Sequence, residues 1–354
     1  MRMNRIDVVL AMCVLTASLG VASSAVASSA RATQATTFET WSYPDSVGSP
    51  ACTAPSEYHD GRVKDGYLVP EYFYINRNGN LVKETTTDGS GNCNTYSPAN
   101  AADVRAWSKY QYMLVSAMSA GRVAKVVTNP SKWPGMNSTL VSFAKKIGFT
   151  GIEVDFEAFW SWPPTVLTDY NAYLRSLVSA AHAQGILVDV DAPAMTGPAS
   201  FYNLAKTVST GVDHITVMAL DEEYDTNGGG LCPANSPLSW LKTVATYAKS
   251  QVPVSKLFIS IGSYGYHAAY PCKTSTIVGN IPFSTTQTEP GYSSNPATIA
   301  ARRDAGSGEI RWTKNGVQYD YIDKTALDMK LNVLTSIGIT NVGVWSLGGG
   351  NPWF

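Results

Sequence analysis

Beyond its first thirty residues the sequence has no apolar run long enough to span a bilayer, and it has no cluster of lysine and arginine anywhere. The first absence leaves nothing to anchor the mature chain in a membrane. The second, with a net charge of −1, removes the electrostatic footprint that nucleic acid or an anionic membrane surface would require. Histidine is scarce, and no cysteine stands in a Cys-x-x-Cys spacing, so a zinc site is disfavoured and no metal or organic cofactor is expected. His182 reads as a helix-surface residue, and His214 and His267 lack a ligand-spaced partner. There is no Gly-x-Ser-x-Gly elbow, and the glycine runs at 228–230 and 348–350 precede no helix opening on Lys-Ser or Lys-Thr. A serine triad and a phosphate cradle are therefore both disfavoured.

What is present begins with an export signal. Arg2 and Arg5 precede an apolar run from Val8 to Val21, and small-residue cleavage sites follow at Ala27 and Ala32. Residues 1–32 are expected to be a signal peptide, which places the mature protein outside the cytoplasm, secreted or periplasmic, as a soluble monomer. Loss of the leader removes Cys13 and leaves Cys52, Cys93, Cys232 and Cys272 in an oxidising compartment, where two disulfides are expected. Of the three pairings, Cys52 with Cys93 and Cys232 with Cys272 is favoured, because each pair flanks a loop-rich stretch.

Residues 33–64 read as an N-terminal extension, and a catalytic domain is expected over 65–354. Short apolar runs there alternate with stretches of helical spacing, the α/β signature. Strands are predicted at Tyr67 to Ile75, Tyr112 to Met118, Gly151 to Glu157, Ile186 to Ala192, His214 to Leu220, Leu257 to Ser263 and Val342 to Leu347. Helices are predicted at Met136 to Ile147, Thr168 to Gln184, Ser200 to Thr207, Ser236 to Ser250 and Asp323 to Gly338. An eighth strand is sought among Arg122 to Thr128. The best architecture is a TIM-type (β/α)₈ barrel, with a doubly wound open sheet as the alternative. An insertion at about 266–321 follows strand seven and contains a hairpin turning at Asn315-Gly316.

The segment Gly151-Ile152-Glu153-Val154-Asp155-Phe156-Glu157 alternates three carboxylates with three apolar residues. On a strand the carboxylates share one face. An acidic inner face and an apolar outer face suit a barrel, and Glu157, last in the row, would project at the end of the strand where such barrels build active sites. Crowded carboxylates repel, so at least one should hold a proton near neutral pH, as a general acid must. Val188-Asp189-Val190-Asp191 repeats the alternation. If Asp189 and Asp191 face inward, they either place a second carboxylate opposite Glu157, suited to a protein nucleophile, or pair with a buried Arg, Lys or Tyr.

The run Thr150 to Glu157 resembles the Asp-Gly-x-Asp-x-Asp-x-Glu motif of glycoside hydrolase family 18, the chitinase family. Met218-Ala219-Leu220-Asp221 is similar to that family's Met-x-Tyr-Asp strand, and Gly343-Val344-Trp345-Ser346 to its last strand. Leu68-Val69-Pro70-Glu71 and Tyr319 to Gly338 look most like the bacterial branch with spore-cortex-lytic germination enzymes. The resemblance implies retaining hydrolysis of a β-linked N-acetylglucosamine polysaccharide such as chitin, peptidoglycan or exopolysaccharide, with the substrate's acetamido group as nucleophile. Glu157 would be acid/base, Asp155 would orient the acetamido nitrogen, and Glu153 would share a proton with Asp155. Trp345 would floor the pocket, with Met218, Asp221 and Glu71 about it, and Asp191, from the second alternation, is a further candidate for substrate contact. Three departures stand out: Thr150 for Asp, Glu153 for Asp, and Leu220 for the Tyr that binds the acetamido oxygen. Tyr224 is a candidate replacement hydroxyl. Two other readings stay open, a glycosidase for a sugar without the acetamido group and a silent sugar-binding relative.

Overall fold

The computed structural model describes residues 35–85, 92–225 and 229–351. The expected signal peptide and Cys13 lie outside these residues, as does Gly228. Eight parallel strands close a barrel: β1 (Thr37–Ser42), β2 (Tyr67–Ile75), β3 (Tyr110–Ala117), β4 (Gly151–Phe156), β5 (Leu187–Pro193), β6 (Ile215–Met218), β7 (Leu257–Gly262) and β8 (Asn341–Trp345). Closure comes from β1, which pairs with β8 through Thr37↔Asn341 and with β2 through Glu39↔Tyr67. An open doubly wound sheet has two free edges, so this closure excludes it.

The eighth strand is therefore Thr37–Ser42, inside the stretch expected to be an N-terminal extension. Arg122 to Thr128 belongs instead to a helix. Ser119 caps the N-terminus of that helix by accepting from the Arg122 N–H, and Val123, Val126 and Val127 recur at three- and four-residue spacing as its buried stripe. The β-branched valines look strand-like in isolation, but spacing and cap decide for helix.

Helices α1 (Pro98–Trp107), α2 (Ala120–Val127), α3 (Trp133–Ile147), α4 (Pro164–His182), α5 (Leu204–Val208), α6 (Leu238–Gln251) and α7 (Lys324–Ser336) surround the barrel. In α4 a proline sits in the first turn, where its missing N–H costs nothing. Tyr170, Tyr173, Leu174, Leu177, Val178 and Ala181 form its buried stripe. The outward residues of the strands, Phe38, Met113, Val115, Ile152, Val154, Val188, Val190, Val217, Ile259 and Val344 among them, join these helix faces in one continuous core. The alternate, inward residues fill the barrel itself. None of the described helices is long and apolar enough to cross a membrane.

Between β7 and α7 the insertion forms a four-stranded antiparallel sheet of Gly265–Ala269, Val278–Ile281, Ile310–Lys314 and Val317–Tyr321. Asn315 and Gly316 both have positive φ, 54° and 74°, as a two-residue turn that follows strand twist requires. Glu309 fastens this sheet to the barrel. Its carboxylate meets the buried Lys330 ammonium of α7 at 2.6 Å and accepts the backbone N–H groups of Asn235 and Ser236.

The disulfides are Cys52–Cys93 and Cys232–Cys272, the sequence-local pairing. The first closes a span of 41 residues and ties the chain following β1 to the excursion between β2 and α1. Replacing both cysteines by serine should lower unfolding free energy by about 2–4 kcal/mol, chiefly by releasing loop entropy in the unfolded chain. Urea unfolding of the double variant, with the midpoint falling, checks this.

Candidate active site

Inward residues stack in layers from the bottom of the barrel to its mouth. At the bottom Tyr67 packs against Tyr110, Tyr112, His214 and Phe258. Above them lie Glu39 of β1, Glu153 of β4, Asp189 of β5 and Thr216 of β6. Strand register sets this layer: Glu153 is paired with Asp189, and Glu39 with Gly343. Gly343 is needed there, because a Cβ at that position would come within 2.6 Å of the Trp41 ring. Asp155 and Asp191 form the next layer, and Glu157 ends the row.

Few partners meet these acids. The Trp41 indole N–H donates to Glu153 at 2.5 Å, the Thr216 hydroxyl donates to Glu39 at 2.6 Å, and His214 stands 3.6 Å from Asp189. One oxygen each of Glu39, Glu153, Asp155, Asp189 and Asp191 is buried with no partner. Asp189 and Asp191 face inward, as the alternation requires; among the described residues no Arg or Lys pairs with them, and their neighbours are the other carboxylates, with His214 and Tyr112 near Asp189 and the buried Tyr170 and Tyr202 near Asp191. The oxygens of Glu39, Glu153 and Asp189 approach one another within 4.8 Å, close enough to hold a cation.

The same crowding can be met by protons. Burial, reinforced by the surrounding acids, pushes the Glu39, Glu153, Asp155 and Asp191 carboxyls well above the usual carboxylate range. A carboxyl raised in this way stabilises the fold fully below its unfolded pKa, and that contribution is lost as pH rises through the folded value. Wild-type melting temperature should therefore fall as pH climbs from about 5 toward the alkaline range. Glu39→Gln, which keeps shape without charge, should flatten that fall. A calorimetric series over pH checks both, and a melting temperature that climbs with pH would contradict the layer's being protonated.

Glu157 stands at the mouth. Its N–H donates to the Ala117 carbonyl, extending the β3–β4 ladder by one residue, and its carbonyl accepts the Trp162 indole N–H at 3.0 Å. Burial and then the Asp221 charge raise its carboxyl to about 7. Beside it, Glu71 of β2 accepts the Ser116 hydroxyl at 2.5 Å and is likewise raised to about 7, by burial first.

Glu157 opens into a cleft of about 980 Å³ whose walls include Trp160, Met218, Leu220, Asp221, Tyr224 and Trp240. Glu157, Met218, Asp221 and Tyr224, named from sequence, are thus brought together. Asp221 has a φ of 65° and accepts the Tyr264 hydroxyl. The Tyr224 hydroxyl is engaged by the Gly279 backbone N–H of the insertion. The Trp345 ring stacks on Tyr43 at 5.3 Å and leans on Trp41 at 5.9 Å, and it is not among the residues that line the cleft.

Asp155 and Asp191, 6% and 3% exposed, both lie one layer below Glu157 and are not among the residues that line the cleft. Glu39, Trp41 and Tyr43 escaped the sequence reading altogether. On the strand, Phe38-Glu39-Thr40-Trp41 puts Phe38 in the outer core and Trp41, with Glu39, on the inner face.

Known proteins place this geometry. The curated cortical fragment-lytic enzymes of Bacillus anthracis and Bacillus cereus are each 25% identical to it, over 298 and 304 residues. Each match takes in 80% of this chain, and the chain spans 64% of each relative's length. Among solved structures, the Bacillus cereus spore cortex-lytic enzyme SleL is similar with a TM-score of 0.68 at 20% identity, over 91% of this chain and 73% of that one. A chitinase from Chromobacterium violaceum is similar with a TM-score of 0.67 at 19% identity, over 89% of this chain and 95% of that one. The family model of glycosyl hydrolases family 18 matches residues 92–349, from Asn92, next to Cys93 of the first disulfide, to the glycines after β8, and the chain belongs to that family.

Proposed function

We propose that the protein is a retaining glycosidase that cleaves a β-linked, N-acetylglucosamine-containing glycan, with Glu157 as acid/base and the substrate's own acetamido oxygen as nucleophile. The observation that carries this reading is Glu157 held at about 7 at the mouth of a cleft, directly above Asp155 in an acidic row. A carboxyl at that value keeps enough of its acid form near neutrality to protonate a leaving oxygen. The acetamido oxygen attacks the anomeric carbon as the glycosidic bond breaks, and the leaving oxygen takes the Glu157 proton. Asp155 accepts the acetamido N–H and balances the positive charge of the cyclic intermediate. Water, deprotonated by Glu157, then opens that intermediate with net retention.

One feature of the cleft supports substrate assistance over a protein nucleophile: Asp221, the carboxyl on the wall beside Glu157, is tied to Tyr264. Leu220 favours the second reading, a sugar without the acetamido group, because it lines the cleft where a tyrosine hydroxyl would meet the acetamido oxygen. A thiazoline mimic of the cyclic intermediate decides between them. Competitive inhibition well below the substrate KM is expected, whereas indifference to the thiazoline in an active enzyme would overturn the acetamido route. Action outside the cytoplasm belongs to the same proposal, supported by two disulfides that an oxidising compartment sustains.

A further inference from the structure

The cleft has a charge pattern that the hydrolysis itself does not use. Its walls carry four carboxyl groups, Glu157, Asp221, Glu222 and Asp225, and no lysine, arginine or histidine. Glu157 is the acid/base and Asp221 is occupied by Tyr264, which leaves Glu222 and Asp225 on the loop after β6. Among the described residues neither forms an ion pair. Glu222 is only half-buried, yet burial first and then the Asp225 charge raise its carboxyl to about 7. The same cleft wall includes Trp160, 71% exposed, an indole face open for stacking against a sugar ring.

We propose, resting on the glycosidase reading above, that the cleft selects a partly de-N-acetylated glucosamine polymer, in which Glu222 and Asp225 bind the ammonium of a glucosamine ring neighbouring the reacting N-acetylglucosamine. The reacting ring must keep its acetamido group, since that group supplies the nucleophile. Its neighbour need not, and a free 2-amino group there is protonated and supplies the charge the wall lacks. A ring bearing a carboxylate, as in an uncapped lactyl ether or a uronic acid, would meet like charge at the same place. The acidic wall thus favours a cationic glycan over an anionic one, by an interaction that salt screens.

The test compares kcat/KM on fully acetylated chitohexaose and on chito-oligomers of about half acetylation at low and high salt, with mass spectrometry of the new chain ends. The expected result is a preference for the half-acetylated substrate of about tenfold at low ionic strength, as two partly exposed ion pairs would give. Glucosamine should be enriched next to the cut, and the preference should shrink in about 0.5 M salt. In Glu222→Gln/Asp225→Asn the ratio of the two kcat/KM values should fall to about one. Equal rates on both substrates, a preference indifferent to salt, or a preference that survives in the double variant would each overturn the proposal. The parent reading fails differently: wild-type enzyme would then cleave neither substrate.

Discussion

Glu157→Gln lowers kcat on a cleavable N-acetylglucosamine oligomer by about 10²–10⁴-fold, the range general acid–base catalysis supplies, while KM stays within a few-fold. The amide keeps the shape of the side chain and its place at the end of β4, so the substrate still binds. It carries no transferable proton, so the leaving oxygen departs as an alkoxide. The pH profile separates this from a structural effect. Because burial and the Asp221 charge hold Glu157 at about 7, wild-type kcat/KM should decline above neutrality as the acid form is lost. Asp221→Asn removes a like charge beside it and should move that limb toward lower pH. A limb that stays in place in Asp221→Asn would mean that another group titrates.

Asp155→Asn is expected to show the second largest loss, about 10²–10³-fold in kcat, typical of removing one preorganised electrostatic contact to a charged intermediate. Asp155 has one buried oxygen without a partner and lies among Glu157, Asp191 and Glu71. Burial and these neighbouring acids hold its proton more tightly than usual, and a positive group arriving above it favours the carboxylate form. Asparagine can still orient the acetamido group but cannot balance its charge. Thiazoline affinity should fall together with kcat. Steady-state kinetics with inhibitor titration measures both, and an unchanged inhibitor constant would place Asp155 in a structural role.

Much of this arrangement was legible in the sequence because β-strand alternation is a strict code. Glu153, Asp155 and Glu157 at spacing two can only share a face, and Ile152, Val154 and Phe156 take the other. Helix spacing was equally plain in α4. The eighth strand was not found where it was sought, because the valines of Arg122 to Thr128 have strand-like side chains, and their helix is revealed by a serine cap and three-residue spacing. Thr37–Ser42 was hidden by its position after a Ser/Thr/Ala-rich stretch and by its distance in sequence from its partners. Its role depends on pairing with residues more than three hundred positions away. That same pairing brings in Glu39 and Trp41, which no local pattern marks as part of an acidic column.

The measurement that bears most directly on the account is release of reducing ends from soluble chitin oligomers, peptidoglycan fragments and non-acetylated glucans, run beside Glu157→Gln. The account predicts cleavage of acetylated glycans by the wild-type protein, lost in the variant. Cleavage confined to non-acetylated glucans, or activity on acetylated ones that survives in Glu157→Gln, would contradict it.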